Sequence, residues 1–147
     1  MGSWDELDAR YEPDGLTPAL AFVVAMTHMA GADDVYLREE EGSLGAFLPR
    51  NGLGTMTYNE LFERALAYLN RTTIDQFLAE APPLLNQEQK LCILINMLDA
   101  ALADGDYAPQ EKDIFVRTRE AFAIAPDVLQ PYIDCIHLKH NLGLFQQ

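Results

Sequence analysis

The chain has 147 residues, 49% of them apolar, which suits one domain with its own core. A formal net charge of −13 repels phosphate backbones and anionic lipid surfaces, so nucleic acid and a bare acidic membrane are excluded as natural partners. No apolar run approaches the ~20 residues of a membrane span, and the acidic opening "MGSWDELDARYEPDG" lacks the basic start of a secretion signal, so a cytoplasmic protein without direct membrane insertion is expected.

Residues 1–16 are expected to form an N-terminal extension and 17–147 the domain itself. Helical signals recur along that domain, and no stretch alternates convincingly with the period of two that marks a strand. Thr17 before Pro18 is an N-cap with proline at the first helical position, opening "ALAFVVAMTHMAGA". Thr57 and Glu60 form a capping box ahead of "LFERALAYLN". A short helix fits "TIDQFLAEA", which Pro82 and Pro83 stop. Asn86 caps "QEQKLCILINMLDAALA", apolar nearly all round and therefore expected at the centre. Pro109 suits the first turn of "PQEKDIFVRTREAFAI", and after Pro126 the segment "LQPYIDCIHLKHNLG" is expected to stop at Gly143. The expected fold is an all-α, single-domain bundle of six to seven helices.

A shift of 71 residues aligns Leu20 with Leu91, Met26 with Met97, Ala30 with Ala101, Ala32 with Ala103, Asp33 with Asp104, Tyr36 with Tyr107 and Glu40 with Glu111. Those seven identities fall within 21 positions, where ordinary composition gives roughly one or two. The register continues without a gap through Ala65 and Ile136, defining an internal repeat of 18–70 and 87–141. Each half reads as a long apolar helix, an acidic corner, a second helix and a third. Two such halves are expected to pack as a pseudo-symmetric bundle, each covering the apolar face of the other.

The corners "ADDVYLREE" and "ADGDYAPQE" share an Asp and a Glu seven residues apart, Asp33 with Glu40 and Asp104 with Glu111. In each, the Asp ends one helix and the Glu opens the next, so a sharp turn brings two carboxylates together. Hard cations demand such clustered oxygens. The plainer alternative is that Asp104 caps backbone amides while Glu111 complements a helix dipole. Asp106 adds a further carboxylate at the second corner. An EF-hand loop begun at Asp104 fails, because Ala108 falls where a ligand is needed, Pro109 replaces the glycine and Phe115 the closing glutamate.

This pattern resembles the tellurite-resistance TerB-like family, whose halves each carry "[SA]DG", a short polar turn and an "EEK"-like helix start. "ADGDYAPQEKDIF" matches closely, and "GADDVYLREEEGSL" matches with Asp34 in place of the glycine, over about residues 18–140. The resemblance implies a non-catalytic, metal-binding stress-response module with ligands at Asp33, Glu40, Asp104 and Glu111. It implies also a membrane-embedded partner protein, which would hold the chain at the inner face of the membrane. Tellurite is an anion, so the charge of −13 disfavours its direct binding.

His137 and His140 are three residues apart on one helical face, a spacing that zinc can use. The repeat pairs them with Leu66 and Leu69, which argues for packing at the core edge. His28 pairs with Asp99 as a further candidate ligand set, although five residues along a helix turn a side chain about 140° away from the corner aspartates. The ion is therefore calcium, magnesium or manganese if oxygens dominate, and zinc if a histidine joins. Cys92 and Cys135 lie in apolar helical segments and are expected to be buried structural residues. No nucleophile elbow or nucleotide loop is present, and "NGLGT" lacks the context of one, so no enzymatic activity is expected. Against the metal-binding module stands an acidic helical scaffold, docking without metal on a basic protein surface, as in co-chaperone or membrane-complex assembly. A homo-oligomer is compatible with either.

Overall fold

The computed structural model describes residues 15–31, 58–103 and 107–146. Among them are six α-helices and no strand: α1 (Pro18–Ala30), α2 (Tyr58–Arg71), α3 (Ile74–Glu80), α4 (Gln87–Ala103), α5 (Pro109–Ala121) and α6 (Pro126–His140). Short 3-10 turns follow α3 at Pro82–Leu84 and α6 at Leu142–Phe145. The expected all-α bundle is thus observed. Among the described residues, no helix is long and apolar enough to cross a membrane.

Local chemistry sets the helix starts. Thr17 Oγ1 accepts the Leu20 N–H at 3.2 Å, and Thr73 Oγ1 accepts that of Gln76 at 3.2 Å. Asn86 does more than the simple cap expected of it. Its Oδ1 accepts from Gln89 N at 2.8 Å while its own N–H donates to Gln89 Oε1 at 2.9 Å, a reciprocal capping box. The box proposed for Thr57 and Glu60 lies partly outside the described residues.

The helix ends depart from expectation in two places. α5 stops at Ala121 instead of running to Ile124, because Ala123 adopts φ 56°. There the Ala123 and Ile124 amides turn back to the Glu120 and Arg119 carbonyls at 3.0 and 3.2 Å, a Schellman closure that buries Ile124. α6 then begins at Pro126, a turn earlier than Leu129, and ends at His140, before Gly143. Pro131 lies within it, so the Asp127 carbonyl lacks its usual amide partner.

α1 packs against α2, α4 and α5, and α4 against α1, α5 and α6. α1, not α4, is the most enclosed helix. It buries Leu20, Ala21, Val23, Val24, Ala25, Met26, Thr27 and Met29, and each fully buried Leu or Val contributes roughly 1.5–3 kcal/mol. α4 buries Ile93, Leu94, Met97, Leu98 and Ala101 on one side and leaves Cys92 exposed on another. Cys135 on α6 is exposed as well. Both cysteines therefore depart from the expected burial, since each lies off the stripe its helix turns to the core. In the 71-residue register α1 corresponds to α4 and α2 to α6, while the counterpart of α5, 38–50, lies outside the described residues. Burial differs between the matched positions, with Leu61 at 0% exposure and Tyr132 at 43%.

Candidate functional site

α4 ends at Ala103 and α5 starts at Pro109, so the second acidic segment of the sequence falls in the five residues that join them. Ala108 is extended, at φ −64° and ψ 153°, and lacks a side-chain acceptor of its own. Glu111, half-buried at the third position of α5, reaches back so that its Oε1 accepts the Ala108 N–H at 3.0 Å. The charge also complements the positive end of the helix dipole. Tyr107 sits in the same corner, its hydroxyl pushed up to about 12 by burial and then by the Glu111 charge. The Lys112 ammonium stands 5.5 Å from the centre of the Tyr107 ring.

Asp33, Glu40, Asp104 and Asp106 lie outside the described residues. In sequence, position 104 directly follows the end of α4, and Glu111 turns back onto Ala108 at the start of α5. A half-buried carboxylate so placed has the oxygen chemistry that a hard divalent cation takes. Among the described residues alone, no three His, Cys, Asp or Glu side chains gather to hold a metal.

The remaining candidates are dispersed among other roles. Asp99, with a side chain 17% exposed, accepts from Lys139 Nζ at 2.9 Å and lies 2.6 Å from His140 Nε2. Burial pushes its carboxyl up, but the hydrogen bonds from Lys139 and His140 outweigh this and hold it below the ordinary carboxylate range. The cluster fastens the end of α6 to α4. His137, one turn earlier, is exposed rather than packed at the core edge.

His28 does not meet Asp99. Its ring lies 5.5 Å from that of Phe77, and its buried Nε2 has no hydrogen-bond partner. Burial, and secondarily the Arg117 guanidinium, lowers its pKa to about 4, so the ring is neutral at pH 7. It lines an open cleft of about 250 Å³ with Thr27, Gly31, Leu66, Leu69 and Asn70. A second cleft, of about 300 Å³, borders Tyr68, whose buried hydroxyl donates to Glu80 Oε2 at 2.6 Å beneath the Arg71 guanidinium.

Three partners escaped the sequence reading. Gln89 was legible, three residues after Asn86 as a capping box requires. Lys139 and Arg117 were not, because they reach Asp99 and Asp75 across 40 and 42 residues of chain. A family model described as tellurite resistance protein TerB matches residues 19–130. No curated protein matches, and no solved structure does.

Proposed function

We propose, because this chain belongs to the TerB tellurite-resistance family over residues 19–130, that it is a non-enzymatic stress-response module whose acidic corners take a divalent cation. Family membership makes it a tellurite-resistance-like stress protein. The cation reading goes further and assigns Asp104 and Glu111 to one corner and Asp33 and Glu40 to the other, with Asp106 as an added oxygen donor. The observation that carries it is the half-buried Glu111 carboxylate, turned back from α5 onto the Ala108 N–H, in the stretch of sequence that also holds Asp104. Calcium, magnesium and manganese suit such oxygens. Zinc fits less well, since His140 is engaged with Asp99 and His28 is packed on Phe77.

With a net charge of −13 the module would act through cations or proteins rather than by holding tellurite. A membrane-embedded stress-response protein is the partner proposed, with the chain held at the inner membrane face. A second reading has its own observation. The hydrogen bond from Ala108 N–H explains Glu111 without any metal, leaving an acidic scaffold that docks on a basic surface.

Thermal unfolding during cation titration separates the two. At a free concentration about 100 times the dissociation constant, a site stabilises the fold by about 2.7 kcal/mol. For a chain of this size the melting temperature then rises by roughly 5–10 °C. Asp104→Asn with Glu111→Gln should abolish most of that rise while preserving the cap, because glutamine also accepts at this position. Neutralising Asp5 and Glu6 is the charge-matched control. If that control removes as much of the rise, diffuse screening is at work and the scaffold reading stands.

A further inference from the structure

We propose that the cleft between the end of α2 and α3 binds a small zwitterion, an α-amino acid with an apolar side chain, held between Arg71 and Glu80. The cleft encloses about 300 Å³, at the lower limit of ordinary ligand sites, which suits a single small molecule. Glu111 does not border it, so cation loading and zwitterion binding can fail separately.

A buried side chain builds the anionic end. Tyr68 is 2% exposed, and its phenol reaches from α2 to α3, where the hydroxyl donates to Glu80 Oε2 at 2.6 Å. Burial, and then this bond, raises the pKa of the hydroxyl well beyond the ordinary tyrosine range, so it stays a donor. Gln76 Nε2 donates to Oε1 of the same carboxylate at 3.1 Å. Both oxygens are thereby held in place, and since a carboxylate offers about four acceptor sites, room is left for the hydrogens of an ammonium.

The cationic end stands over the same ring. The Arg71 guanidinium lies 5.4 Å from the centre of Tyr68, and among the described residues no carboxylate pairs with it. In a chain with 23 Asp and Glu against 10 Lys and Arg, an arginine without an acid partner is unexpected. The aromatic face steadies the planar fork and leaves its N–H edge for a ligand carboxylate. Leu16, half-buried, and Leu84, 42% exposed, supply an apolar wall.

Charge narrows the ligand class. A simple carboxylate meets Glu80 and the field of the net −13, and a simple amine meets Arg71, whereas a zwitterion satisfies both groups and carries no net charge. Arg71 and Glu80 are themselves exposed, so the dissociation constant is expected at roughly 0.1–1 mM.

Leucine is the probe, titrated into the full chain and followed by amide NMR shifts, which should centre on Tyr68, Gln76 and Leu84. Isoamylamine, which lacks the carboxylate, and isocaproate, which lacks the ammonium, should each bind roughly tenfold more weakly. Arg71→Gln should reduce leucine to the level of isoamylamine without weakening isoamylamine itself. Glu80→Gln, whose amide oxygen still accepts the Tyr68 hydroxyl, should weaken leucine but not isocaproate. The analogue series on the unmodified chain decides independently of either variant. Leucine shifts that are absent up to its solubility or centred elsewhere, equal binding of either analogue, or leucine binding that survives both substitutions would each overturn the proposal.

Discussion

At His28 a single buried atom couples stability to pH. The ring titrates near the ordinary 6.5 in the unfolded chain and at about 4 in the folded one. Between those values the unfolded state binds the additional proton, so stability is complete above about pH 6.5 and falls as the pH drops towards 4. The shift corresponds to at most about 3 kcal/mol. His28→Leu should flatten this limb, and the difference in urea midpoint between wild type and variant at pH 7 and pH 4.5 measures it. Taking the difference matters, because protonating carboxylates on a chain of charge −13 relieves repulsion and pushes the opposite way. The sequence marked His28 and Asp99 as counterparts under the repeat and as candidate ligands. What it could not show is that α6 delivers Lys139 and His140 to Asp99 while Phe77 of α3 receives the His28 ring. Those neighbours are set by packing between distant segments.

The end of α5 shows how an element can be closed by a residue unsuited to its backbone. Ala123 occupies the left-handed position of the Schellman closure at φ 56°, where an L side chain costs roughly 1–2 kcal/mol. It is exposed, so its methyl has no packing to lose. Ala123→Gly should therefore stabilise the protein by about 0.5–1 kcal/mol once the greater freedom of glycine in the unfolded state is deducted. Differential scanning calorimetry would read this as a rise of roughly 1–4 °C. A glycine here would have announced the end of α5; an alanine did not, and the helix was expected to reach Ile124. Starts were easier to read, because Thr17 and Asn86 carry their capping oxygens in the sequence itself. Faces were harder. Composition made α4 look apolar all round, but which side meets α1, α5 and α6 decides that Cys92 faces outward.

Over the whole molecule, the excess of acid should make stability depend on ionic strength. Raising sodium chloride from ~10 mM to ~150 mM shortens the Debye length from about 30 to 8 Å. The melting temperature should climb over that range, most steeply at the low end, and a fall would mean that attractive pairs such as Arg117–Asp75 and Lys139–Asp99 outweigh the net repulsion. The order of the helices has a separate bearing on synthesis. α1 is the most enclosed element, yet residues 31–86 separate it from α4, one of its principal supports. At about 5–20 residues per second a ribosome needs roughly 3–11 s to make that interval. α2 emerges within it and shelters one side of α1, while the surface destined for α4 stays wet. Nascent chains stalled before residue 87 should consequently be the ones that recruit holdase chaperones, and release should follow the emergence of α4.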